Sequence, residues 1–528
     1  MSDNRTTADC IVVGAGFGGM YLVHRLREAG YSVQGFDAAG DVGGTWYWNR
    51  YPGARCDIPS LLYSYSWSDK LRHNFRWSEK YATQPEILEY AQLVADTYDL
   101  RPFFRFSTRV ESARYDEANC EWVVETDAAG TWRGKYLFLA TGCLSVPNEP
   151  DFPGQDSFQG DSYQTSTWPH EGVDFSGKRV AVIGTGSSAI QSIPLIAEQA
   201  ESVHVFQRTP NFSLPALNGP IPEEERQAFE AMYEDYRAAL AAGEPGIEML
   251  PEDWEPSDEE LAEHVKILWN GGGLVSTVQI PRLTKDERIN AAAAEFVRER
   301  IQDIVDDPDT ARRLTPHGYP IATKRACVDT NYYQTYNLPH VHLVSLQEEP
   351  LVEITPQGVK TEAREYPVDA IVYALGFDAM TGALTRINPV GRNGLSLQDA
   401  WAEGPTSFLG TTVAGFPNLF TITGPFSPSV IQNVILSIEQ HVDWIMEVLA
   451  RAREAGSATI EITREAQQQW MDHAADEANQ TLFPQAGSWY MGANIAGKPR
   501  VLMPYVGREY KQKLDANISE GFPGLVFS

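Results

Sequence analysis

The chain has 528 residues, 43% hydrophobic and 21% charged, and 42 Lys plus Arg against 71 Asp plus Glu leave a net charge of −29. At about 150 residues per domain this allows roughly three or four domain-sized units, and the composition excludes wholesale disorder. A surface this acidic repels phosphate backbones and anionic lipid, so neither nucleic acid nor a membrane is expected as a partner.

The polar lead MSDNRTTADC runs straight into a strand-like segment, so no signal peptide is expected, and no run reaches the ~18 apolar residues of a spanning helix. The five cysteines (Cys10, Cys56, Cys120, Cys143 and Cys327) are scattered and form no C-x-x-C pair. That argues against zinc ribbons and disulfide-reductase centres. A cytoplasmic protein with reduced thiols is expected.

Cys10 to Val13 reads as a short buried strand that enters Gly14-Ala15-Gly16-Phe17-Gly18-Gly19, a G-x-G-x-x-G turn. Met20, Val23, Leu26 and Ala29 recur at helical spacing up to Gly30, and Tyr31 to Phe36 reads as a second strand ending at Asp37. Strand, glycine turn, helix, strand and terminal acid form the dinucleotide fingerprint in its proper context. Arg109 to Arg114, Trp122 to Val124 and Tyr136 to Leu139 then read as a strand meander, followed by the small-residue segment Ala140-Thr141-Gly142.

The fingerprint repeats. Val180 to Ile183 leads into Gly184-Thr185-Gly186-Ser187-Ser188-Ala189, and Ile190, Ile193, Ala197 and Ala200 stripe the next helix, with a kink or break expected at Pro194. The following strand, Ser202 to Phe206, ends in Gln207-Arg208-Thr209 with no acid. An acid at this position accepts hydrogen bonds from a free ribose 2′-hydroxyl, whereas an arginine suits a 2′-phosphate. The first site therefore suits FAD and the second NADP.

From about 219 to 318 the sequence turns to acidic amphipathic helices. Ser257-x-x-Glu260 and Thr284-x-x-Glu287 resemble capping boxes. Phe229, Met232, Tyr233 and Tyr236 form one apolar face, and Ile289, Phe296, Val297, Ile301 and Ile304 another. Both faces are expected to pack against the second nucleotide domain. Strands resume near Val341 to Val344 and Ala370 to Ala374, and Ile431 to Ala450 reads as a long helix. The fold class is thus α/β, with two Rossmann-like dinucleotide-binding domains. Residues 1–145 and 378–528 form the FAD domain, and 146–377 the NADP domain with its helical insertion.

With no cysteine pair, hydride passed from nicotinamide to flavin must go elsewhere, and oxygen is the evident acceptor. Gly43-Gly44-Thr45-Trp46-Tyr47-Trp48-Asn49-Arg50-Tyr51-Pro52-Gly53-Ala54-Arg55-Cys56-Asp57 matches A/G-G-x-W-x-x-x-x-F/Y-P-G/M-x-x-x-D. Phe158-x-Gly160-x-x-x-Gln164-x-x-x-Trp168-Pro169 matches F-x-G-x-x-x-H-x-x-x-W-P except at Gln164. With the two glycine turns, and with Ala322 to Arg325, Ala374 to Asp378 and Ser488 to Asn494, the chain resembles the type I Baeyer–Villiger monooxygenases. The last landmark is most similar to the phenylacetone and steroid monooxygenase branch.

The resemblance implies an NADPH- and O2-dependent enzyme that inserts oxygen beside a ketone carbonyl by way of a flavin-bound peroxide. Arg325 would stabilise the anionic charge, because an arginine does not give up its proton, and Asp57 would orient it. FAD would be held by Gly14, Gly16, Gly19, Asp37, Thr45, Trp46, Trp48, Tyr63 and Val110. NADPH would be held by Gly184, Gly186, Ser187, Ser188, Arg208, Thr209, Lys324 and Trp489. Ser429, Val430, Ile431 and Gln432 would line the substrate pocket, next to a helix N-terminus suited to a reduced anionic flavin. Two departures stand out: Gln164 replaces the fingerprint histidine on the interdomain linker, and Leu375 stands where threonine is usual. Rival readings are oxygenation of sulfur or nitrogen, and a catalytically weakened redox sensor.

Overall fold

A computed structural model describes residues 6–528 apart from 245 and 248; the start of the polar lead and two positions of the insertion lie outside it. The first glycine turn sits in a seven-stranded sheet. Thr7–Val13, Val33–Phe36 and Phe104–Arg105 run parallel on one side of it, and Thr7–Val13 pairs on its other side with Gly130–Leu139. The two halves of Gly130–Leu139 have different neighbours. Its start pairs antiparallel with the meander strand Glu121–Thr126, and its end pairs parallel with Leu419–Thr421. A segment from late in the chain thus returns to complete the first sheet.

The second glycine turn belongs to a five-stranded, all-parallel sheet. Its order is Val341–Ser345, Ser202–Gln207, Arg179–Ile183, Ala370–Tyr373, Asp161–Gln164. Val180 to Ile183 are buried, which is why this strand is continuously apolar. No helix among the described residues is long and apolar enough to cross a membrane.

Five local expectations need correction. The second strand begins at Val33 and not Tyr31, because Ser32 is held by the Asp9 carboxylate through its backbone N–H (2.8 Å) and hydroxyl (2.6 Å). The helix Ser187–Ala197 runs through Pro194 unbroken. Burial of Ile190, Ile193 and Ile196 offsets the ~3 kcal/mol that an interior proline costs. Ser257 and Glu260 make the expected capping box, but Thr284 does not cap: Asp286 does, accepting from Arg288 (2.9 Å) and Ile289 (3.1 Å).

The Phe229 stripe is broken at exposed Met232 into two helices, Glu223–Ala231 and Tyr233–Ala241. Phe229, Tyr233 and Tyr236 pack on Leu62 and Leu436, outside the second nucleotide sheet, while the Ile289 stripe does pack against that sheet's core. The long helix expected over 431–450 is Val434–Ala455, because Asn433 caps it by accepting from the Ile435 N–H (3.1 Å).

Candidate active site

The two glycine turns are built alike. Gly14 and Gly184 lie in the left-handed region (φ +109° and +116°). A Cβ there would stand 2.4 Å from the carbonyl oxygen of Ala140 or Ala374, so only glycine fits either turn. In front of Gly186, at the N-terminus of Ser187–Ala197, the space is open, as an approaching phosphate requires.

Asp37 closes the first turn, accepting from the N–H of Ala15 (2.6 Å) and Ala39 (2.7 Å). Burial pushes its pKa up, against those two backbone donors. Each carboxylate oxygen keeps a lone pair for a ribose hydroxyl. Val110 is buried two residues past Thr108, whose N–H donates to the Asp37 carbonyl (2.9 Å).

Trp46 is buried and its indole N–H donates to Tyr63 Oη (3.1 Å). Thr45 is exposed at the start of the short helix Thr45–Trp48, and Trp48 is 37% exposed, edge-on to Tyr47. The motif from Gly43 to Asp57 reaches the second sheet's helix. Tyr51 Oη donates to Gln191 Oε1 (2.8 Å), and Gln191 Nε2 to the Arg55 carbonyl (3.2 Å).

At the second turn, Ser187 Oγ donates to Cys327 Sγ (3.4 Å), and Ser188 Oγ lies 3.2 Å from Thr165 Oγ1. Thr185 Oγ1 donates to the Thr209 carbonyl (3.1 Å), tying the turn to the end of the next strand. Arg208 is exposed there, and Lys324 lies over the Tyr319 ring at 4.3 Å. Burial and then the charge of Arg208 push the Lys324 pKa down. These neighbouring cations fit a doubly charged phosphate.

Asp57 and Arg325, far apart in sequence, meet in a bidentate pair: Nε donates to Oδ2 (2.7 Å) and Nη2 to Oδ1 (2.8 Å). Nη1 donates to the carbonyl of Val430. Burial works to lower the Arg325 pKa, but Asp57 and then the Tyr490 phenol override it and hold it well above its usual value. Three of the five guanidinium N–H groups are committed, leaving two for the phenol and for a substrate. Tyr490 was not singled out in the sequence, although it lies inside the landmark quoted for Trp489. Trp489 is half-buried against Tyr490 (4.4 Å between rings) and packs with Val430 and Ile431. Ser429 is fully buried, and Gln432 Nε2 turns back to donate to Ser437 Oγ (2.8 Å) and Gln440 Oε1 (3.1 Å).

Gln164 Nε2 donates to the Asn148 carbonyl (2.8 Å), and Asn148 in turn donates to Gly376 O and Leu375 O (both 3.0 Å). The two chain segments that join the sheets are thereby clipped together. Trp168 is buried in the core of the second sheet.

The pattern described as Pyridine nucleotide-disulphide oxidoreductase matches residues 11–217, which span both glycine turns. That description fits an oxidoreductase with two dinucleotide folds. All five cysteines are free, so the disulphide chemistry in that description has no counterpart here. A "Baeyer-Villiger monooxygenase" of Pseudooceanicola batsensis is 39% identical over 531 residues, covering 98% of this chain and 96% of the relative. Cyclohexanone monooxygenase from Rhodococcus sp. Phi1, solved with NADP+, is 42% identical at TM-score 0.95, covering 99% and 100% of the two chains. OTEMO, solved with FAD and NADP, is 36% identical at TM-score 0.94, covering 99% of each chain. The chain belongs to the Baeyer–Villiger monooxygenases, enzymes that use FAD and NADPH.

Proposed function

We propose that this enzyme converts a small-molecule ketone, with O2 and NADPH, to the corresponding ester or lactone in the cytoplasm, without nucleic acid or membrane partners. The observation that carries the reading is the Asp57–Arg325 pair, a fixed cation clamped on its carboxylate with an N–H group left to face a substrate. FAD, when bound, supplies the activation of oxygen.

The roles of this chain's residues follow from their chemistry. Gly14, Gly16, Gly19 and Asp37 hold the FAD dinucleotide, and Gly184, Gly186, Ser187 and Ser188 take the NADPH pyrophosphate. Arg208 and Lys324 read the 2′-phosphate, with Thr209 beside them. Trp46, Tyr63, Thr45, Trp48 and Val110 flank the flavin dinucleotide, and Trp489 the nicotinamide nucleotide. As attack on the carbonyl carbon builds negative charge on the carbonyl oxygen, Arg325 stabilises it as a preorganised cationic donor. Asp57 keeps the guanidinium plane fixed. Ser429, Val430, Ile431 and Gln432 form the wall that receives the ketone. In this reading residues 1–145 and 378–528 act as one FAD unit and 146–377 as the NADPH unit.

A ketone panel with product identification tests the proposal. Ester or lactone should form with one NADPH consumed per product, and sulfoxide from a thioether with no ester from any ketone would overturn it.

A further inference from the structure

The segment 421–429 is buried throughout, although three of its non-glycine residues adopt left-handed backbone: Thr423 (φ +53°), Phe426 (+64°) and Ser429 (+41°). A β-branched threonine in that region is a genuine outlier, and such strain persists only where the surroundings impose it. Much of what imposes it is visible. Ser407 Oγ donates to the Pro425 carbonyl (2.6 Å), Trp470 Nε1 to the Phe426 carbonyl (3.2 Å), and the Tyr505 N–H to the Ser427 carbonyl (2.8 Å).

At Thr423 the constraint comes from His441, on the helix Val434–Ala455. The Thr423 N–H donates to His441 Nδ1 (3.0 Å). Nδ1 therefore carries no proton, and the ring proton sits on Nε2. Nε2 is 2.7 Å from Tyr510 Oη, which itself donates to the Leu409 carbonyl. Every donor has one acceptor along Thr423, His441, Tyr510 and Leu409, so the ring's tautomer and orientation are set by its neighbours. His441 is 0% exposed, and burial pushes its pKa down to about 3, so the ring stays neutral at working pH. The segment it anchors leads to Val430, whose carbonyl accepts from Arg325 Nη1.

We infer that His441, oriented by Tyr510, is a positioning residue for the oxygenation. Through the Thr423 N–H it holds the strained segment 423–429 in register, and so holds the Val430 carbonyl where it fixes the free edge of the Arg325 guanidinium. This rests on the oxygenation reading above for its effect on product, but not for its effect on the backbone.

Two readouts on the FAD-loaded enzyme test it: deuterium exchange of the peptide spanning 419–433, and ester formed per NADPH oxidised with cyclohexanone as probe. His441→Phe should speed exchange at the Thr423 amide and lower ester per NADPH by about tenfold or more, as a displaced catalytic group does. His441→Asn places an amide oxygen where Nδ1 stood and should stay within about threefold of wild type by both measures. His441→Gln reaches Tyr510 but gives up the Nδ1 acceptor, so it should behave like His441→Phe.

Unchanged exchange at Thr423 in His441→Phe, or a lower melting temperature with unaltered ester per NADPH, would overturn the inference. If His441→Phe does not fold, the Asn and Gln variants decide: equal effects, or a milder Gln, overturn it. Absence of ester from the wild-type enzyme with every ketone would instead strike the oxygenation reading, and the exchange comparison would still judge the role of His441.

Discussion

Replacing Arg325 with lysine keeps the charge but removes the fork. In the structure three guanidinium N–H groups are committed, two to Asp57 in one plane and one to the Val430 carbonyl. A lysine ammonium offers three N–H groups from one atom, and so cannot reproduce both contacts and still face a substrate oxygen. The variant gives up at least one charge-assisted hydrogen bond, about 1.5–3 kcal/mol, and one preorganised donor to developing charge, worth about 10²–10³ in rate. Because a cation remains beside Asp57, the variant avoids stripping a charge of its partner, which costs ~3–5 kcal/mol for a buried pair and less here because both side chains are 21% exposed. Arg325→Lys should therefore fold, retain FAD and consume NADPH, while ester formation falls about 10²–10³-fold. The assay is gas chromatography of product beside the flavin absorbance of the same sample. Ester formation within about threefold of wild type, at equal FAD content, would refute the role given to the guanidinium.

Arg208→Ala should raise KM for NADPH by about ten- to a hundredfold and leave NADH nearly unaffected, and equal losses for both coenzymes would show that Arg208 does not read the phosphate. Glu439 accepts from the N–H (2.7 Å) and hydroxyl (2.6 Å) of Ser66, yet burial pushes its pKa from 4.5 up to about 7. Its folded-state pKa is raised, so its contribution to stability is full below pH 4.5 and is lost as pH rises towards 7. Glu439→Gln should remove up to about 3 kcal/mol of that decline. Asp329, pushed up to about 6, adds to the wild-type decline, and His441 opposes it, so the measure is the difference in melting temperature between variant and wild type at pH 5 and pH 7. A constant difference would refute the assignment. Gln164→His should alter ester yield per NADPH by less than about tenfold, because either side chain can donate to the Asn148 carbonyl. A wild-type enzyme that makes no ester beside an efficient histidine variant would show that Gln164 is not tolerated.

Much of the molecule was legible in the sequence because its signals are local. Continuous apolar runs, glycine turns and the residue ending the following strand sit within about thirty residues of one another, and their chemistry separates an FAD site from an NADP site. Local reasoning failed where a competing local partner or a distant surface decided the outcome. Asp9 shortened the second strand, Asp286 took the cap expected of Thr284, and Asn433 moved the start of the helix Val434–Ala455. Of the Phe229 stripe, Tyr233 and Tyr236 are buried but Met232 is exposed, and helical periodicity says nothing about which surface buries the rest.

The chain order by itself determined two dinucleotide folds and their cofactors, because each depends on a short pattern with a fixed chemical meaning, while the charged pair was implied only by resemblance to a family. Only the tertiary structure decided that Leu419–Thr421 completes the first sheet, that Val430 presents its carbonyl to Arg325, and that His441 and Tyr510 hold Thr423 in a backbone it would not choose. These are contacts of backbone groups. A carbonyl or an N–H is the same in every residue, so no side-chain pattern announces which one a distant partner will find.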